Sequence, residues 1–140
     1  MNGSPCPPVN ADVAAERAGT VLAGTPSVLF GYLFGSLAKG TAGPLSDIDV
    51  AVYLKEETDS GEVKLDLTAR LMDAQGADRV DVVVLNDAPL PLQARVLRCN
   101  RILLDRAPHR RHAFESLVLR EYFDFSRFEE AILRRRFSLG

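Results

Sequence analysis

Hydrophobic positions along this chain switch between two periods, and the switches mark out its elements. Residues 1–9, with three prolines, read as a flexible N-terminal arm. From Asn10, a candidate N-cap, to about Ala23, the residues Val13, Ala14, Arg17, Ala18 and Val21 recur at helical spacing. Ser27 to Phe34 (SVLFGYLF) is a short, apolar, aromatic-rich run that suits a buried strand. A small-residue turn, GSLAKGTAGPLS, separates it from a second strand, Asp47 to Leu54. After the surface loop EETDSGE, Val63, Leu67, Leu71 and Ala74 stand at spacings of 4, 4 and 3, the signature of an amphipathic helix. Arg79 to Leu85 is a third strand, Pro89 to Arg98 a helix opened by proline, and Arg101 to Leu104 a short edge strand. From about Arg110, Phe114, Val118, Tyr122, Phe125, Phe128 and Ile132 share one helical face, predicting a helix that runs to Phe137. Strands alternating with helices point to an α/β (α+β) layer structure, with residues 10–140 as a single domain.

Composition narrows the class without choosing a function. The 140 residues are 46% hydrophobic and 26% charged, enough for a packed core. The 17 basic and 19 acidic residues leave a net charge of -2, which argues against a protein that coats DNA or RNA. Cys6 and Cys99 have no partner His or Cys at metal-binding spacing, so neither a disulfide framework nor a zinc site is expected. No secretory signal is visible, and no apolar stretch approaches the roughly 20 residues of a membrane span. A cytoplasmic location and no membrane partner are the expectation.

The chemistry concentrates in GSLAKGTAGPLSDIDVAV, residues 35–52. Alternation on a strand projects Asp47 and Asp49 from one side, with Cα atoms about 6.5 Å apart, while Ile48, Val50 and Val52 enter the core. Asp81 has the same local setting among Val80, Val82, Val83 and Val84. If the two strands are neighbours, three carboxylates converge. Such a cluster is costly without a cation, because each charge raises the others' pKa. Magnesium resolves the conflict, since it takes a few carboxylates together with waters and substrate phosphates. Gly35 permits close backbone approach, Ser36 offers a hydroxyl, and N–H groups opening a helix after it suit a phosphate. Lys39 is either an added charge or solvated surface. Alone, a Gly-Ser pair is an ordinary turn and an aspartate pair an ordinary strand end; the combination at this spacing points to catalysis.

Gly35-Ser36, ten intervening residues and Asp47-Ile48-Asp49 resemble the signature of the DNA polymerase beta-like nucleotidyltransferase superfamily, with Asp81 at the place of its third carboxylate. The short chain, the run VDVVVLNDAPLPLQARVLRCNRILLDR and the long terminal helix are similar to the minimal nucleotidyltransferases (MNT), commonly antitoxins encoded beside a HEPN-domain ribonuclease toxin. The likeness covers about residues 28–125 and implies a mixed sheet packed by helices. It implies Mg2+, two ions, held by Asp47, Asp49 and Asp81, with Asp81 helping to draw a proton from the acceptor hydroxyl. It further implies ATP as substrate, with Gly35, Ser36 and Ser46 on the nucleotide side, and transfer of AMP to a tyrosine of the HEPN toxin partner. Two rival readings carry different consequences: neutralisation by complex formation alone, or an aminoglycoside-type enzyme acting on a small molecule. The second would ordinarily need a further substrate domain.

The remaining features favour plainer roles. HRRH (109–112) and RRR (134–136) are RNA-binding candidates or solvated helix ends. His109 and His112 have no metal-binding spacing, and Tyr122 is better explained by packing than by self-modification. The C-terminal aromatics are expected in the core, though so long a helix also offers a face to a partner or a second copy.

Overall fold

A computed structural model describes residues 11–35, 38 and 47–138, with only the backbone of 125, 126, 128, 133 and 136–138. The N-terminal arm, Asn10, Ser36, Lys39 and Ser46 therefore lie outside the described residues, as do the side chains of Phe125 and Phe128.

Among the described residues, four strands form one sheet: β1 (Val28–Phe34), β2 (Ile48–Leu54), β3 (Val80–Val84) and β4 (Asn100–Asp105), in the order β3-β2-β1-β4. β1 runs antiparallel to both β2 and β4, and β2 runs parallel to β3. The sheet is therefore mixed, and the expected edge position of the last strand is observed. β2 starts one residue later than its pattern suggested, so Asp47 precedes the strand. β3 is shorter than expected because Leu85–Asp87 turns into a single 3-10 segment.

Helices cover both faces of the sheet. On one face lie α1 (Ala11–Ala23) and α2 (Ser60–Gln75), which bury Ala14, Ala18, Leu22, Leu67 and Leu71 against Val28, Leu33, Ile48, Val50, Val52, Val82 and Val84. α2 opens three residues before the periodic run, because the Asp59 side chain caps it by accepting from the N–H of Glu62. On the other face lie α3 (Leu90–Arg98) and α4 (Pro108–Ser138), against a second cluster of Phe30, Tyr32, Phe34, Ala51, Leu85 and Val96. Phe30 stacks on Tyr53 at 4.8 Å between ring centroids, and Phe114 of α4 tilts onto both rings. Among the described residues, no helix is long and apolar enough to cross a membrane.

The continuous core face expected along α4 is only partly realised. Phe114 and Val118 pack on the body, and Tyr122 is half-buried, but Ile132 is exposed. The 31-residue helix spans about 46 Å, and beyond Val118 the described side chains other than Tyr122 are exposed.

Candidate active site

The parallel pairing of β2 and β3 places Asp49 directly opposite Asp81, and Ile48 opposite Val80. Registered residues on adjacent strands project to the same face, with chains about 4.8 Å apart. The antiparallel pairing of β1 and β2 sets Asp49 opposite Phe34, the residue before Gly35. Four elements of local sequence thus meet at one end of the sheet: the end of β1, the start of β2, the start of β3 and, through the Phe34–Asn100 pair, the start of β4. Hydrophobic alternation drives this arrangement. Ile48, Val50 and Val52 turn toward α1 and α2, which obliges Asp49 to turn the other way, toward the face covered by α3.

Gly35 is fixed by that crowding. Its φ is 77°, in the left-handed region, and a Cβ built on it would sit 2.2 Å from Oδ2 of Asp49. A side chain here would push the carboxylate out of position. The turn and the carboxylate therefore share one confined space, which is the cradle expected where backbone approaches a ligand.

Asp47 and Asp81 are exposed and Asp49 is half-buried. Burial, then the charge of Asp81, then that of Asp47 push the Asp49 carboxyl up to about 6, while Arg95 on α3 pulls it back. The charges of Asp81 and Asp47 are thus felt at Asp49, and the strand register sets Asp81 directly beside it. Among the described residues, no group of three or more His, Cys, Asp or Glu side chains is gathered closely enough to hold a metal ion. The pair that the register does bring together, Asp49 and Asp81, is a donor set of the chemistry magnesium takes, since that ion keeps several waters and draws further ligands from substrate phosphates. All-oxygen, mutually repelling donors at an open sheet end suit a hard divalent cation.

Arg95 escaped the sequence reading. Its only local signal is a basic residue in the last turn of a helix, which ordinarily serves the helix dipole. The HRRH stretch turns out to be mainly structural: Arg111 donates to Asp105 and Glu115, and Arg110 lies 5.7 Å from the Tyr53 ring centroid and pairs with Glu56. His109 and His112 are exposed on α4.

A mixed sheet of this order, with carboxylates on paired strand ends beside a glycine turn, defines a nucleotidyltransferase-type α+β protein. The family model for Polymerase beta, Nucleotidyltransferase matches residues 16–109, more than half of the chain, and the chain belongs to that family. Among solved structures, it is similar to a chain from a toxin–antitoxin complex with AMP-PNP, at 26% identity, TM-score 0.72, covering 88% of this chain and 98% of that one. A chain from a mutant of the toxin–antitoxin MntA–HpeT is similar at 26% identity, TM-score 0.68, with coverage of 84% and 93%. A third likeness, of fold alone at 23% identity, is to a chain from the tri-AMPylated Shewanella oneidensis HEPN toxin in complex with its MNT antitoxin, at TM-score 0.68, with coverage of 91% and 98%. No curated protein matches the chain.

Proposed function

We propose that this nucleotidyltransferase is the antitoxin of a HEPN/MNT pair, and that it moves AMP from ATP to a tyrosine of its HEPN toxin partner. The observation that carries the reading is the register that sets Asp49 beside Asp81 and against the Gly35 turn. Similarity to a chain of a toxin–antitoxin complex with AMP-PNP supports both the nucleotide and the partner.

In this reading Asp47 and Asp49 hold two magnesium ions and Asp81 holds one of them. Bound there, the ions would supply positive charge against the phosphates and the attacking and leaving oxygens. Gly35 lets the backbone approach the β- and γ-phosphates, with Ser36 and Ser46 supplying hydroxyls beside them. The acceptor oxygen forms a bond to the α-phosphorus while the bond from that phosphorus to the α–β bridging oxygen breaks. Its electron pair leaves with pyrophosphate, and Asp81 helps to draw off the tyrosine proton. The protein contributes position and charge rather than covalent chemistry.

The test is mass spectrometry of the candidate toxin encoded beside this chain, after incubation with the protein, ATP and magnesium. An AMP adduct on tyrosine is expected with the native protein and none with Asp47→Asn or Asp49→Asn, each still unfolding cooperatively and no less stable than the native protein. Undiminished labelling by either variant would overturn the assigned roles.

A further inference from the structure

Two asparagines join elements at opposite ends of the sheet. Asn86 exchanges two hydrogen bonds with the backbone of Leu54, at 2.9 and 3.0 Å, at the end of β2 away from Asp49. Asn100, the first residue of β4, donates from its side-chain amide to the carbonyls of Val96 and Leu97 in α3, at 3.2 and 3.4 Å. That second joint lies at the end of the sheet where the carboxylates lie.

Strand register shows what Asn100 stands beside. One residue from each strand falls in a single row across the sheet: Asn100, Phe34, Asp49 and Asp81. Registered partners project to one face with chains about 4.8 Å apart, so Asn100 stands roughly 10 Å from Asp49. At that separation it acts only through Phe34, which fills the place between them. Phe34 is buried and shares a cluster with Val96 of α3. It is also the last residue of β1, and Gly35 follows it at φ 77°, with no space for a Cβ beside Oδ2 of Asp49.

The end of α3 depends on this one amide. A helix leaves its last carbonyls without intrahelical partners. Cys99 is already extended at φ -150° and Asn100 is already strand, so the chain passes from helix to sheet with no turn between. The amide of Asn100 answers two of the open carbonyls, and one of them belongs to Val96, the residue packed with Phe34. Without that donor the last turn of α3 loosens from Phe34, and the end of β1 gains freedom where backbone and carboxylate share a confined space.

We propose that Asn100 is a positioning residue of the nucleotide site: by tying the end of α3 to the start of β4 it holds Phe34, and through Phe34 the Gly35 turn, in place against Asp49. The inference rests on the nucleotide reading above and adds a support to it. Reacting groups held in place by such supports are sensitive to small shifts, since a 1 Å displacement can cost about a hundredfold.

Calorimetry with AMP-PNP in magnesium, on the full chain and well below the melting transition, tests the proposal. Asn100→Ala is expected to weaken binding about 10-fold, a fraction of the loss for a full 1 Å displacement. Asn100→Asp, the same shape without the donor, should lose at least as much, and Asn100→Gln, which keeps the amide, should recover part. Asn86→Ala removes two hydrogen bonds from the far end of the same sheet. It should melt at least as far below the native protein as Asn100→Ala does, yet bind AMP-PNP within about twofold of native. Binding by Asn100→Ala within about twofold of native, or an equal loss in Asn86→Ala, would overturn the role of Asn100 and leave the nucleotide reading in place. Loss of cooperative unfolding in Asn100→Ala would overturn it too, by making the residue a support of the whole fold. Failure of the native protein to bind AMP-PNP in magnesium would overturn both.

Discussion

Asp49 is held where its charge is disfavoured. A carboxyl raised from 3.8 to about 6 in the folded protein costs nothing below the lower value, where it is protonated in both folded and unfolded chains. The penalty builds as pH rises between the two values and is complete above about 6. A shift of this size corresponds to about 3 kcal/mol before screening, and partial exposure reduces it to ~1–2 kcal/mol. Asp49→Asn should therefore melt ~3–6 °C higher than the native protein at pH 8 in the presence of a chelator, with the advantage gone by pH 3.5. Magnesium at pH 8 should narrow the gap by stabilising the native protein alone. Paired thermal melts at the two pH values decide it; a variant no more stable at pH 8 would mean that the carboxylates do not repel. This conflict was legible in the sequence because aspartate is rare inside an apolar strand. Arg95 was not legible, since an exposed arginine in a helix carries no pattern until the sheet register shows what lies beneath it.

The elements themselves followed from periodicity wherever an element buries one face. All four strands were visible, because apolar runs bounded by glycine or charged loops leave few alternatives. What periodicity missed are polar contacts between distant elements. Asn86, just past β3, both donates to the carbonyl of Leu54 and accepts from its N–H, so a side-chain amide stands in for a strand partner at the end of β2. The start of α4 hides a larger case. Arg111 donates to Asp105 and to both oxygens of Glu115, of which Oε2 also accepts from Tyr32 at 2.7 Å. Burial and the Glu115 carboxylate both push the Tyr32 hydroxyl up, so it remains a donor throughout the working range. Nothing local announces this network, because its members are spread from β1 to α4. Removing the cation leaves two part-buried carboxylates facing each other, so Arg111→Met should cost about 2–4 kcal/mol. Glu115→Gln, which keeps a hydrogen-bond acceptor for Tyr32, should cost about 1 kcal/mol. Urea unfolding midpoints would rank the two variants, and the reverse order would show that Arg111 is a surface residue after all.

At the scale of the molecule, the fold divides into a body around the sheet and a helix that outruns it. The body is layered, with α1 and α2 on one face and α3 and the first turns of α4 on the other. Beyond Val118, the described side chains of α4 are exposed except Tyr122, including Phe123 at 60% and Ile132 at 42%. The sequence suggested one apolar face along the whole helix; of its described members Phe114 and Val118 pack on the body, Tyr122 is half-buried and Ile132 is exposed. A segment whose described side chains are exposed draws on local i to i+4 bonds, among them the Arg134–Glu130 pair, and those stabilise a helix only weakly. Such a segment cannot contribute much to the stability of the body. Ending the chain after Asp124 should therefore leave the melting temperature within about 2 °C of native, while the helical signal falls by roughly the share of residues removed. AMP-PNP binding in magnesium should persist, because every residue assigned to the nucleotide and its metal lies between Gly35 and Asp81. A loss of many degrees on truncation would show instead that the distal turns fold back on the sheet, and would return Ile132 and its neighbours to the core.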